Sequence, residues 1–142
     1  MARFERQITI NAPMERTFAY LVDLPRHAEW AGHRIRIEQT SQEPPGVGST
    51  YSSGHQGKEP KDQVRITELV PNQKIAFEAQ GPDGHFLHFF LLDQDGDRTR
   101  LTKGIELLRL SLMMKLMSPL LLIMGPRILA GDLKRIKAKL EA

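Results

Sequence analysis

Two basic side chains set in apolar runs, His88 and Lys103, are the residues of this chain best suited to chemistry. His88 lies in HFLHFFLL and Lys103 in RLTKGIEL, and Asp95-Gly96 between them is a strong hairpin signal. Taking Asp95-Gly96 as a two-residue turn pairs Phe90 with Leu101, His88 with Lys103 and Phe86 with Ile105. Directly paired residues share one face of a sheet. A histidine opposite a lysine on an apolar face can serve as a general acid–base pair. It can equally anchor a ligand's carboxylate, phenol or carbonyl. Tyr51 is the third candidate of this kind. The plainer alternative has Lys103 extending its stem to water while His88 meets a backbone group. The residue pattern leaves both open.

Other constellations carry less. His85 and His88 are three apart on a strand, hence on opposite faces and poor co-ligands for a metal. Asp93-x-Asp95-Gly96-Asp97 has some calcium-loop ligands but lacks the closing glutamate and flanking helices, so a hairpin turn explains it. His27, Glu29 and His33 flank Trp30; they read as exposed polar residues before they read as a metal site. With no cysteine there is no disulfide, thiolate nucleophile or common zinc-finger set. G-x-S-x-G, P-loop and dinucleotide fingerprints are absent, so neither metal nor cofactor is expected.

The elements that position these residues follow from periodicity. Phe4 to Ile10 alternates as a strand, and Asn11-Ala12-Pro13 opens a helix in which Asn caps and Pro occupies the first turn. Pro25 ends it, a second short helix covers Arg26 to Trp30, and Gly32 closes the unit. Strand patterns then span Arg34–Gln39, Ser49–Ser53, Val64–Val70, Lys74–Ala79, His85–Leu92 and Arg98–Leu108. Pro71-Asn72, read as a two-residue turn, pairs Ile66 with Phe77 and Val64 with Ala79. Any odd loop or bulge would flip a strand's parity. Leu129, Leu133, Ile136 and Leu140 repeat at helical spacing. Strands in sequence with segregated helices make the chain α+β, a single domain over 1–142.

These pieces resemble, in order, the START/birch-pollen-allergen-like superfamily (SRPBCC), in its polyketide cyclase/dehydrase-type branch. ITINAPMERTFAYLVDLPRHAEW is similar to the superfamily's first strand and helix pair. ITELVPNQKIAFEA is similar to its central hairpin, GDRTRLTKGIEL to its last strand and GPRILAGDLKRIKAKLEA to its C-terminal helix. The resemblance implies a helix-grip fold. In it a curved seven-stranded antiparallel sheet wraps a long C-terminal helix, two short helices follow strand 1, and a cavity lies between sheet and helix. It implies binding of lipids, polyketides, quinones or similar guests; only some members are enzymes.

The last feature is LLRLSLMMKLMSPLLLIMGPRIL, residues 107–129, which holds Met113, Met114, Met117 and Met124. Methionine re-packs around guests of varied shape, so this run reads as a pocket wall or gate. Pro119 and Gly125-Pro126 are expected to break it, and Arg109 and Lys115 argue against a membrane span. The expected pocket is lined by Trp30, Tyr51, Ile66, Phe77, Phe86, His88, Phe90, Leu101, Lys103, Ile105, Met113, Met117, Leu129 and Leu133.

Net charge is +3, all of it accounted for by Arg127, Lys134, Arg135, Lys137 and Lys139 against Asp132 and Glu141. That describes the wet side of a terminal helix, and no aromatic RNA-binding motif accompanies it, so nucleic acid is not expected. MARFERQITI carries charges throughout and does not read as a signal peptide, which points to the cytoplasm. Three functions stay open. The first is binding or carriage of a hydrophobic small molecule. The second is a cyclase/dehydratase-type enzyme acting on such a molecule. The third is a module contacting a membrane surface or a partner, a homodimer included.

Overall fold

The computed structural model describes residues 2–32, 34–42 and 44–142. Seven strands run β1 (Arg3–Ile10), β2 (Ile35–Gln39), β3 (Thr50–His55), β4 (Asp62–Val70), β5 (Lys74–Gly81), β6 (Gly84–Asp95) and β7 (Arg98–Leu110). Helix α1 (Met14–Val22) and a 3-10 helix (Leu24–Glu29) follow β1; α2 (Leu112–Leu116) and α3 (Ser118–Glu141) follow β7. The strands form one antiparallel sheet in the order β1-β7-β6-β5-β4-β3-β2. This is the helix-grip arrangement: a curved sheet with the long helix on its concave side.

The concave face is apolar because one residue in two along each strand points to it. Ile66, Ile75, Phe90 and Leu101 are fully buried there, and Leu129, Leu133 and Ile136 of α3 meet them at 1% exposure or less. Each such side chain contributes roughly 1.5–3 kcal/mol by leaving water. On the convex side Phe89 covers Gly104, where an added Cβ would fall 2.1 Å from the ring. Arg3 lies over the same ring at 4.5 Å.

Two hairpins differ from expectation in an instructive way. The β6–β7 turn is Gly96-Asp97, not Asp95-Gly96, since Asp95 pairs with Arg98. Gly96 has φ +65 and so takes the first central position, as glycine does in a type II′ turn. Partners therefore slide by two: Phe90 faces Lys103, His88 faces Ile105 and Phe86 faces Leu107. An even slide keeps every side chain on its face. The β4–β5 loop has three residues, Pro71-Asn72-Gln73, with Asn72 at φ 64. A bulge between Ile66 and Glu68 cancels the odd loop, so Ile66 still faces Phe77 and Val64 faces Ala79.

Three local details also change. Pro13, not Asn11, is the N-cap of α1, and no side chain caps it; the Asn11 N–H instead donates to Glu141 at 2.7 Å. The methionine-rich run leaves β7 at Ser111, and its helical part breaks at Met117, between α2 and α3. Pro119 sits in the first turn of α3, and the helix continues through Gly125-Pro126. Gly125 is needed there because a Cβ would lie 2.5 Å from the Phe4 ring.

Candidate functional site

A cavity of about 290 Å³ lies between the concave sheet and the middle of α3. Val64, Phe77, Ala79 and Ile105 form its sheet wall, and Leu121, Gly125, Ile128 and Leu129 its helix wall. Trp30, the C-cap of the 3-10 helix, closes one end, while Ser53 and Asp62 stand where β3 meets β4. A larger depression of about 670 Å³ is bordered largely by polar side chains such as Gln63, Arg65, Glu78 and His85. It contains none of the buried ionisable groups described next.

Four of those groups meet in the smaller cavity: His27, His88, Lys103 and Asp132. Lys103 is 5% exposed, so it does not snorkel. Its Nζ lies 3.8 Å from Asp132 Oδ2, beyond hydrogen-bond reach. The same ammonium sits 5.5 Å over the Trp30 ring and 5.7 Å over Phe90. Asp132 is held from the other side: Arg135 Nη2 donates to Oδ1 at 2.8 Å, and Arg135 Nε donates to the Trp30 carbonyl at 2.6 Å. His88 stacks on Phe77 with centroids 4.9 Å apart and planes at 4°. Among the described residues it makes no hydrogen bond to a backbone group.

Burial sets the protonation states. His27 is pushed down to about 3 by desolvation and then by the Lys103 charge. His88 falls to about 3 for the same reasons, with His27 adding a little. Both are neutral imidazoles at neutral pH. Desolvation lowers Lys103 to about 8, partly offset by Asp132. The result is an ammonium with no hydrogen-bond acceptor among the described residues, facing a largely apolar chamber.

Of the expected pocket residues, Trp30, Phe77, His88, Lys103, Ile105 and Leu129 line this cavity. His88 and Lys103 share the face as diagonal neighbours rather than direct partners. Ile66, Phe90, Leu101 and Leu133 are packed into the core and Tyr51 with them, so none lines the cavity. Phe86, half-buried between Ala79 and Leu107, lies outside its wall. Met113 and Met117, 69% and 45% exposed, lie outside the cavity wall.

Sequence reasoning missed two groups. His27, read as exposed, is buried: Leu24, His27 and Trp30 follow a three-residue period, and a 3-10 helix stacks such residues on one side. Asp132 falls on the Leu129–Leu133–Ile136 stripe, and a carboxylate on a buried stripe was the available signal. In the His27–Glu29–His33 group, Glu29 is exposed and bonded by Tyr20 and Arg26, and His33 lies outside the described residues. Among the described residues no cluster of three His, Asp or Glu could hold a metal.

A curved seven-stranded sheet gripping a long helix, with a cavity between them, defines a member of the SRPBCC superfamily. Within it, the model described as Activator of Hsp90 ATPase homolog 1-like protein matches residues 11–105, and the chain belongs to that family. Solved structures agree on the fold. Zhui aromatase/cyclase from Streptomyces sp. R1128 aligns with TM-score 0.77 and 17% identity, covering 99% of this chain and 93% of its own. The Aha1 dimer from Colwellia psychrerythraea aligns at 0.69 and 18%, covering 99% and 97%. A protein from Thermus thermophilus aligns at 0.75 and 15%, also covering 99% and 97%. Among curated proteins none is a significant match.

Proposed function

We propose that this chain, as one cytoplasmic ligand-binding domain, binds or carries a hydrophobic small molecule of lipid, polyketide, quinone or isoprenoid type. Its apolar body lies along Phe77, Ile105 and Leu129, and an oxygen-bearing end faces Lys103 and His88. The observation that carries this reading is the Lys103 ammonium, buried beside a largely apolar cavity and donating no hydrogen bond among the described residues. Asp132 balances the charge across 3.8 Å but is too far away to accept a hydrogen bond, so the donors of the ammonium are left for a guest. A carboxylate, phenolate or carbonyl at this point supplies the acceptor. Native mass spectrometry of the purified protein, alone and mixed with dodecanoate, tests it. One bound amphiphile per chain is expected; a bare mass in both samples contradicts it.

One arrangement favours a second reading, an enzyme of cyclase or dehydratase type. Lys103, lowered to about 8, can give a proton near neutral pH, and the neutral His88 imidazole on the same face can hold a polar group of the substrate beside it. Turnover that disappears in His88→Leu while dodecanoate still binds would select the enzyme. Tyr51, buried in the core, has no part in that step.

A further inference from the structure

The conspicuous surface of the molecule is not the cavity but the apolar segment above it. Leu112, Met113, Leu116, Leu120, Ile123 and Ile128 are between 51% and 77% exposed, all on α2 and the first half of α3. A continuous apolar surface of this kind on a folded protein marks a contact site.

Its charge says what kind of contact. From Leu107 to Gly131 the chain contains Arg109, Lys115 and Arg127 and no acidic residue. All three are exposed, and none forms an ion pair among the described residues. Arg109 and Lys115 border the same small groove as Leu122, which fixes them at the edge of the apolar surface. Arg127 lies one turn from Ile123 and Met124 on α3. Of the nearby acids, Asp83 is neutralised by Lys61 at 2.7 Å, and Glu106 precedes the segment on β7.

We infer that α2 and the first half of α3 dock on the anionic face of a phospholipid bilayer. The apolar side chains enter the boundary between headgroups and acyl chains, and Arg109, Lys115 and Arg127 meet lipid phosphates. No helix among the described residues is long and apolar enough to cross a membrane, so the contact is peripheral. A second copy fits less well. A two-fold interface sets this patch against itself, and the patch has no carboxylate to meet its own cations. The docked segment is also the cavity's roof, because Leu121, Gly125 and Ile128 line the chamber beneath it. A guest leaving the bilayer therefore has a short apolar path inward. The docking itself does not depend on what the cavity holds.

Vesicle flotation tests this, with phosphatidylcholine alone and phosphatidylcholine containing phosphatidylglycerol. Wild-type protein is expected to float with the anionic vesicles, on the order of a hundredfold more strongly than with neutral ones, given three basic groups. High salt reduces that preference. Lys115→Glu/Arg127→Glu removes the preference, and Leu116→Ser/Ile123→Ser removes binding altogether with the melting temperature unchanged, since both leucine and isoleucine are exposed. Folded wild-type protein that stays unbound, or binding that ignores both double variants, overturns the inference. So does a wild-type dimer by sedimentation that Leu116→Ser/Ile123→Ser converts to monomer without any vesicle binding in either; a second copy is then the occupant.

Discussion

The two halves of α3 are both apolar, yet they meet opposite fates. From Leu129 to Leu140 the apolar residues fall on one stripe, and Leu129, Leu133, Ile136 and Leu140 are at most 3% exposed. From Leu120 to Met124 they are consecutive, so they surround the helix. Only the side carrying Leu121 and Gly125 can meet the sheet, and Leu120, Leu122, Ile123 and Met124 stay exposed. A stripe commits a helix to one buried face, whereas a belt buries one side and leaves the rest for another surface. One charged residue from each half follows the same logic. Asp132 on the stripe is buried and must pair with Lys103 and Arg135; Arg127 on the belt remains in solvent.

This contrast can be broken by substitution. Asp132→Ala should have the largest effect, about 3–5 kcal/mol, because it strands Lys103 as an uncompensated buried charge. Ile136→Ala in the stripe should cost about 2–5 kcal/mol. Urea unfolding reads both. Acid should act through the same chamber. His27 is held near 3 in the fold and titrates near 6.5 when unfolded. Below pH 6.5 the unfolded chain therefore takes up a proton that the fold refuses. Stability falls as pH drops from 6.5 toward 3, by about 2–3 kcal/mol at about pH 4.5 from this group. Lys103, lowered to about 8 from 10.5, acts in the same sense at high pH: stability rises as pH climbs through that interval. His27→Leu should flatten the acid slope in pH-dependent urea titrations.

At the boundary between the halves, Gly125→Ala forces the Phe4 ring to move and should cost about 1–3 kcal/mol. Ile123→Ala in the belt should change unfolding by no more than about 0.5 kcal/mol. A large loss there would mean that the belt is packed in the folded protein after all.

How much was legible in the sequence varies with the kind of information required. Alternation in β4 to β7 placed Ile66, Phe77, Phe90, Leu101 and Lys103 on one face, because parity survives any even slide and survives two odd shifts that cancel. The direct partners of His88 and Lys103 were not legible. They depend on whether Gly96 is the first or second central residue of its turn, which is a matter of backbone dihedrals. Asp132 was overlooked although its position on the stripe was visible, since its burial needs Lys103 from a strand far away in sequence. The methionines misled for a related reason. Met113 and Met117 belong to a segment whose direction is set by the break at Met117, and periodicity carries no information about a break angle.

The central claim is that Lys103 reads an oxygen-bearing head on an apolar guest. Trp30 is the only tryptophan and lines the cavity, so its fluorescence reports occupancy directly. Titration with dodecanoate and with dodecanol, on wild-type protein and Lys103→Met, measures the claim most directly. Wild type should prefer the acid by roughly tenfold to a hundredfold, the range for a hydrogen bond to a charged group, and Lys103→Met should lose that preference while keeping its affinity for the alcohol. Equal affinities for acid and alcohol in wild type, or a preference that survives Lys103→Met, would contradict the account.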